Sequence, residues 1–185
     1  MSKVDSVEAL LELAITAEQK NKKFYQGLSK KFSNIPAIAY FWQGMVIEEV
    51  QHSQELENIR NSLSPNQLSA PVDSSTLEKA KKAMGYSVTD TLSSIATLDD
   101  AYEIARDLER SEVNTVFAFI MNEFIPSEKQ KEFIMWQLEH HTQKIVKFPD
   151  IYGDSNLRKK VMAQTLSTDP GSDELSTQGI KANAL

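Results

Sequence analysis

Apolar residues return every three or four positions along most of the chain, the spacing that turns one face of an α-helix toward a core. Val7, Leu10, Leu11, Ala14, Tyr25 and Leu28 fall on one stripe together with Glu18, and Asp5 or Ser6 is placed to cap the helix that carries them. That helix is expected to end near Lys30 or Lys31. Ser33, Asn34 and Pro36 interrupt the pattern, and Pro36 suits the first turn of a second helix, where its missing N–H is not needed. The second helix runs to about Asn61 with Trp42, Met45, Val46, Leu56 and Ile59 on one face and forms a hairpin with the first. From Ser62 to Ser75 the composition turns to Ser, Pro, Asn and Gln, the mark of a long surface connection. A short helix from about Thr76 to Met84 and a loop through Gly85 and Thr97 then lead to a third long helix, about Leu98 to Phe124. Pro126 and Ser127 open a fourth, with Ile134, Leu138, His141, Ile145 and Phe148 on its stripe, expected to stop before Pro149. Beyond it the periodicity fades, and residues 165–185, rich in Ser, Thr, Asp and Gly, read as a flexible tail behind a single domain of residues 1–164.

The expected fold is all-α: two helical hairpins joined by a long crossover, with a short extra helix. A hydrophobic content of 41% with only 6 Gly and 6 Pro agrees with a helical globular chain of 185 residues. The halves also resemble each other. Leu13-Ala14-Ile15-Thr16-Ala17-Glu18 matches Ile104-Ala105-Arg106-Asp107-Leu108-Glu109 in setting Ala four residues before an inward Glu, and each segment precedes a helix that carries His.

Glu49 and His52 form a Glu-x-x-His pair on the apolar face of the second helix, where residues three apart are neighbours. A carboxylate aimed at a core needs its charge compensated, and a metal held jointly by carboxylate and imidazole does this. The companions of this pair are Glu18 from the first helix, Glu109 and Glu112 from the third, and His141 from the fourth, with Glu139 and His140 beside it. A dinuclear carboxylate centre in a four-helix bundle takes one Glu from each of two helices and a Glu-x-x-His pair from each of the others. Each residue also has a plain reading: a single inward Glu is often partly exposed or paired with a cation, as Lys22 could pair with Glu18. Together, several carboxylates converging on one core would repel strongly without a cation.

The Ala-x-x-x-Glu helices, Glu49-x-x-His52, Glu109-x-x-Glu112 and the crossover resemble the rubrerythrin and ferritin-like superfamily over about Val4 to Phe148. The resemblance implies a ferritin-like four-helix bundle and a carboxylate-bridged diiron site, with manganese or zinc as alternative metals. It also implies that Glu112 is the extra helix-three carboxylate of rubrerythrin-like sites. The departure is in the fourth helix, where Leu138 stands three before His141 and Gln137 three before His140, so the second bridging carboxylate is missing. Aligning His52 with His141 superposes Met45 on Ile134, Leu56 on Ile145 and Ile59 on Phe148, which favours His141 over His140. A single metal at Glu18, Glu49 and His52, or a second metal held loosely by Glu109, Glu112 and His141, would both fit the pattern.

The activity so implied is oxidation of ferrous iron or reduction of hydrogen peroxide or dioxygen. With no cysteine the chain lacks a rubredoxin-type iron centre and would need a separate electron donor. The alternative is a structural or interaction module with one metal or none; iron storage in a shell would require a cage assembly. A net charge of −6 without a long basic run argues against nucleic acid and anionic membrane as partners. No stretch approaches the ~20 apolar residues that span a bilayer, and the first residues lack the apolar core of a secretory signal, so the cytoplasm and a homodimer formed through a helix face are the expectations. Phe24, Tyr25, Trp42, Phe117 and Trp136 read as core packing, with Tyr25 or Tyr102 candidates for a place near the site.

Overall fold

Serine and proline set the ends of the first hairpin in the computed structural model, which describes residues 6–109, 119–120, 122–125 and 127–152. The Ser6 hydroxyl accepts a hydrogen bond from the Ala9 N–H and caps α1, Val7–Lys31. After a tight turn, Pro36 opens α2, Pro36–Ser62. The two helices pack along their length as an antiparallel pair.

The connection that follows is more ordered than its composition suggests. Ser64 and Gln67 form a capping box that starts a one-turn helix, α3, Pro65–Leu68. Asp73 caps α4, Ser74–Ala83, and Ser87 caps α5, Val88–Ser94. Read from the sequence as a surface segment, the stretch buries Val72 against α1, and Pro71 pairs with Ser6 in an isolated antiparallel bridge. The Gly85–Thr97 loop likewise proves to contain α5, which lies against α1 where Gly27 lacks a side chain; a Cβ there would stand 2.2 Å from Leu92. Both elements are too short to develop a helical period, so only their caps announce them.

α6, Leu98–Glu109, and α7, Glu128–Tyr152, pack on each other, and α7 also touches α2. Between them residues 119–120 and 122–124 are helical. The course of the expected third helix from Arg110 to Ala118, the start at Pro126 and the tail at 165–185 lie outside the described residues. α7 does not stop before Pro149 but continues to Tyr152. So near a helix end the lost N–H removes one bond of the last turn, and Phe148, buried against Phe41 and Trp42, holds that turn in place. The described residues are all-α apart from that single bridge, and none of their helices is long and apolar enough to cross a membrane.

Two apolar clusters fill the bundle. One joins Leu10, Leu11 and Ala14 of α1 to Leu56 and Ile59 of α2, Ile120, and Ile134 and Leu138 of α7. The other joins Phe24, Tyr25 and Leu28 of α1 to Trp42 and Met45 of α2, Ala101 and Ala105 of α6, and Ile145 and Phe148 of α7. α1, α2 and α7 therefore read apolar, polar, apolar along their inner faces. Burying one large apolar side chain stabilises by about 1.5–3 kcal/mol, so clusters of this size can offset a layer of ionisable groups held between them.

Candidate metal centre

The polar layer consists of Glu18 from α1, Glu49 and His52 from α2, Glu109 from α6 and His141 from α7, all buried. Glu49 is the most enclosed, at 1% exposure. Ala14 and Ala105, one turn before Glu18 and Glu109, are buried as well, so the internal likeness of the two halves holds at the level of packing.

The two imidazoles face each other with centroids 5.0 Å apart and share the carboxylates between them. Nδ1 of His52 lies 3.7 Å from Glu18 Oε2 and 3.8 Å from Glu49 Oε2. Nε2 of His141 lies 3.3 Å from Glu49 Oε1 and 2.8 Å from Glu109 Oε1. Yet neither Glu49 oxygen, nor His141 Nε2, is aligned for a hydrogen bond, so these contacts are mainly Coulombic. Glu109 Oε1 in turn accepts a hydrogen bond of 2.5 Å from the Tyr25 hydroxyl.

His141 is held from outside the layer by Glu48, which sequence reading assigned no role. Its Oε2 stands 2.7 Å from Nδ1 of His141, and its Oε1 pairs with Lys144 one turn further along α7. With Nδ1 donating its proton to Glu48, Nε2 is the nitrogen that faces Glu49 and Glu109, and it would become a metal ligand on losing its own proton. Glu48 lies off the apolar stripe, so only the seating of α7 on α2 reveals it. Glu48→Ala is expected to weaken metal affinity about 10–100-fold, the usual effect of removing such an outer carboxylate, with Glu48→Gln less affected because its amide oxygen can still accept. Titration calorimetry with a divalent metal checks this, and wild-type affinity in Glu48→Ala would remove Glu48 from the site.

The electrostatics describe a layer short of positive charge. Burial and the neighbouring Glu49 carboxylate raise the Glu18 carboxyl well above its ordinary range, so Glu18 keeps a proton. Burial opposes ionisation of Glu49, but Glu18, His141 and His52 outweigh it and hold Glu49 ionised. Burial also disfavours charge on the imidazoles, yet Glu18 and Glu49 push His52 up to about 9, and Glu109, Glu48 and Glu49 raise His141 well above its usual value. Tyr25, buried beside Glu109 and Glu49, is held neutral. Without a metal, a proton neutralises Glu18 and the two protonated imidazoles supply the positive charge that the remaining carboxylates require.

The rubrerythrin family model matches residues 9–139, well over half of the chain. The chain belongs to the rubrerythrin family. No curated protein and no solved structure matches it. The matched rubrerythrin segment takes in Glu18, Glu49, His52 and Glu109 and ends two residues before His141, on the helix where Leu138 replaces the expected carboxylate. Leu138 sits in the first apolar cluster. Glu139 and His140 are exposed, His140 stacking on Trp136 at 5.2 Å, and are not brought to the layer. Glu112 and Phe117 lie outside the described residues. Of the two tyrosines considered, Tyr25 reaches the layer, whereas Tyr102 stacks on Phe148.

The residues fit the metal that rubrerythrin membership implies. Among the described residues, Glu49, His52 and His141 each offer a ligand atom within 4.8 Å of the others. The Glu49 oxygens and His141 Nε2, buried and without hydrogen bonds, are the atoms that a cation between them would satisfy.

Proposed function

We propose that this rubrerythrin-family protein is a non-haem iron protein that oxidises ferrous iron or reduces hydrogen peroxide or dioxygen. Glu18, Glu49, His52, Glu109 and His141 would hold the metal, with Glu112 as the further carboxylate. The observation that carries the reading is Glu49: a carboxylate at 1% exposure, between two imidazoles, with neither oxygen hydrogen-bonded. When bound, a pair of ferrous ions supplies two electrons, and hard anionic carboxylates stabilise the ferric product.

The chain's own groups arrange the rest. Tyr25 holds Glu109 by its hydroxyl proton, and Glu48 holds the His141 ring. The apolar clusters keep bulk water out along the bundle axis, which strengthens every charge interaction in the layer. The proton on Glu18 is available for release as metal binds. Electrons would come from a separate donor protein, since the chain has no cysteine to hold its own rubredoxin-type iron. The exposed Tyr40, Ile47 and Val50 on α2, and Phe133 and Trp136 on α7, support a homodimer, and the cytoplasm is the proposed location.

Leu138 favours a second reading, a structural or interaction module with one metal or none, because its burial in the core takes a carboxylate away from the layer. Anaerobic reconstitution with ferrous iron, elemental analysis and then exposure to peroxide separates the two. About two irons per chain, the dinuclear stoichiometry, oxidising rapidly, is the expected result. About one metal or none would put the module reading in its place.

A further inference from the structure

Among the described residues, apolar clusters lie on both sides of the carboxylate–imidazole layer along the bundle, which leaves approach from the side, between helices. α1 and α2 pack along their length, with a surface groove between them lined by Gln19, Lys23, Val50 and Ser53. On another flank of α1 runs the short segment between α4 and α5. The Lys20 ammonium donates to the backbone carbonyls of both Met84 and Tyr86 and lies 4.6 Å from the centroid of the Tyr86 ring. The Tyr86 hydroxyl donates to Asn21 Oδ1 at 2.9 Å. Asn21 is buried, one turn beyond Glu18, so the phenol is anchored at the level of the layer while the residue as a whole stays partly exposed. Burial, then the charges of Glu49 on α2, Glu109 on α6 and Glu18 on α1, hold this phenol neutral, as adjacency to the layer requires.

We propose that Tyr86 is the access gate of the polar layer: its ring, clamped by Lys20 and latched to Asn21, closes a lateral opening beside α1 and swings out to admit metal ions and small oxidants. Opening breaks one side-chain hydrogen bond of Tyr86, and the exposed Gly85 next to it offers a pivot without a side chain. An aromatic plug of this kind passes molecules the size of peroxide and holds back bulky hydroperoxides and the electron donor itself, which then has to act from outside. The proposal rests on the reading of the layer as a metal site, but the gate can be tested without metal.

The test is acylation of histidines by diethyl pyrocarbonate in metal-free full-length protein, read by peptide mass spectrometry. In the wild type His140, which is exposed, should react fast and the buried His52 and His141 slowly. Tyr86→Ala should speed acylation of His52 and His141 by about tenfold or more, at or above the upper end of the shift expected from one lost hydrogen bond, with His140 unchanged. Tyr86→Phe, which keeps the ring and loses the latch, should fall between. Lys20→Met, which loosens the clamp without opening a cavity, should act in the same direction, and circular dichroism at the wild-type level shows that each variant is folded. Unchanged rates at His52 and His141 in folded Tyr86→Ala and Lys20→Met overturn the gate whatever the metal content. If wild-type protein takes up no iron while Tyr86→Ala still exposes the histidines, the iron reading fails and the gate stands.

Discussion

Glu49→Ala is expected to abolish tight metal binding while the helices remain. Glu49 lies within 3.3 Å of one imidazole and 3.8 Å of the other, and it is the carboxylate whose charge both histidines feel. Losing an outer carboxylate costs about 10–100-fold in affinity, so losing the central ligand should cost at least 100-fold, or roughly 3 kcal/mol. Alanine is the better helix former, so α2 should not fray. The loss should appear as metal absent after desalting, against a far-ultraviolet circular dichroism spectrum close to the wild type. Full metal content in the variant would remove Glu49 from the centre. Glu49→Gln, which keeps the volume and drops the charge, separates loss of a ligand from loss of packing.

The metal-free protein is expected to lose stability as the pH rises from about 6.5 to about 9, and the metal-loaded protein to resist that loss. His52 has a folded value of about 9 against about 6.5 in an unfolded chain. In that interval the folded state holds a proton that the unfolded state has released. The stabilisation is complete below the unfolded value and disappears as pH passes the folded one; for His52 it is on the order of 3 kcal/mol. His141 is shifted in the same direction, and Glu18, which keeps its proton when folded, adds the same sign from the carboxylate range upward. Glu49 works the other way, but only in acid, below the ordinary carboxylate value. A bound metal replaces these protons and needs neutral imidazole, so its affinity rises over the same interval. Thermal unfolding at several pH values, with and without metal, should therefore show the gap between the two melting temperatures widening toward alkaline pH. A metal-free melting temperature that is flat or rising between those limits would contradict the protonated layer.

Where a local signal and a long period agreed, the chain was legible. Ser6 and Pro36 mark the starts of α1 and α2, and the stripes of the long helices bring Glu18, Glu49, His52, Glu109 and His141 to one level. His141 rather than His140 faces inward because Ile134, Ile145 and Phe148 set the rotation of α7. Three things were beyond the pattern. α3 and α5 span too few residues to show a period, and only their serine caps hint at them. The passage of α7 through Pro149 depends on Phe148 finding its neighbours. Glu48 and Tyr86 owe their places to how α7 and the connecting segment seat on α2 and α1, which is tertiary information that no single helix carries.

The alternation of apolar, polar and apolar levels also bears on how such a protein can change over generations. α1, α2 and α7 already continue their greasy stripes on either side of the charged level, so an ionisable residue there can give way to an aliphatic one and leave the fold a more continuous core. Leu138, seated in the apolar cluster beside His141 where the family pattern calls for a carboxylate, is a step of that kind. The scaffold is thus open to drift from a charged layer to a plain bundle by single substitutions, and the five buried ionisable side chains that remain mark how far along that route this chain stands.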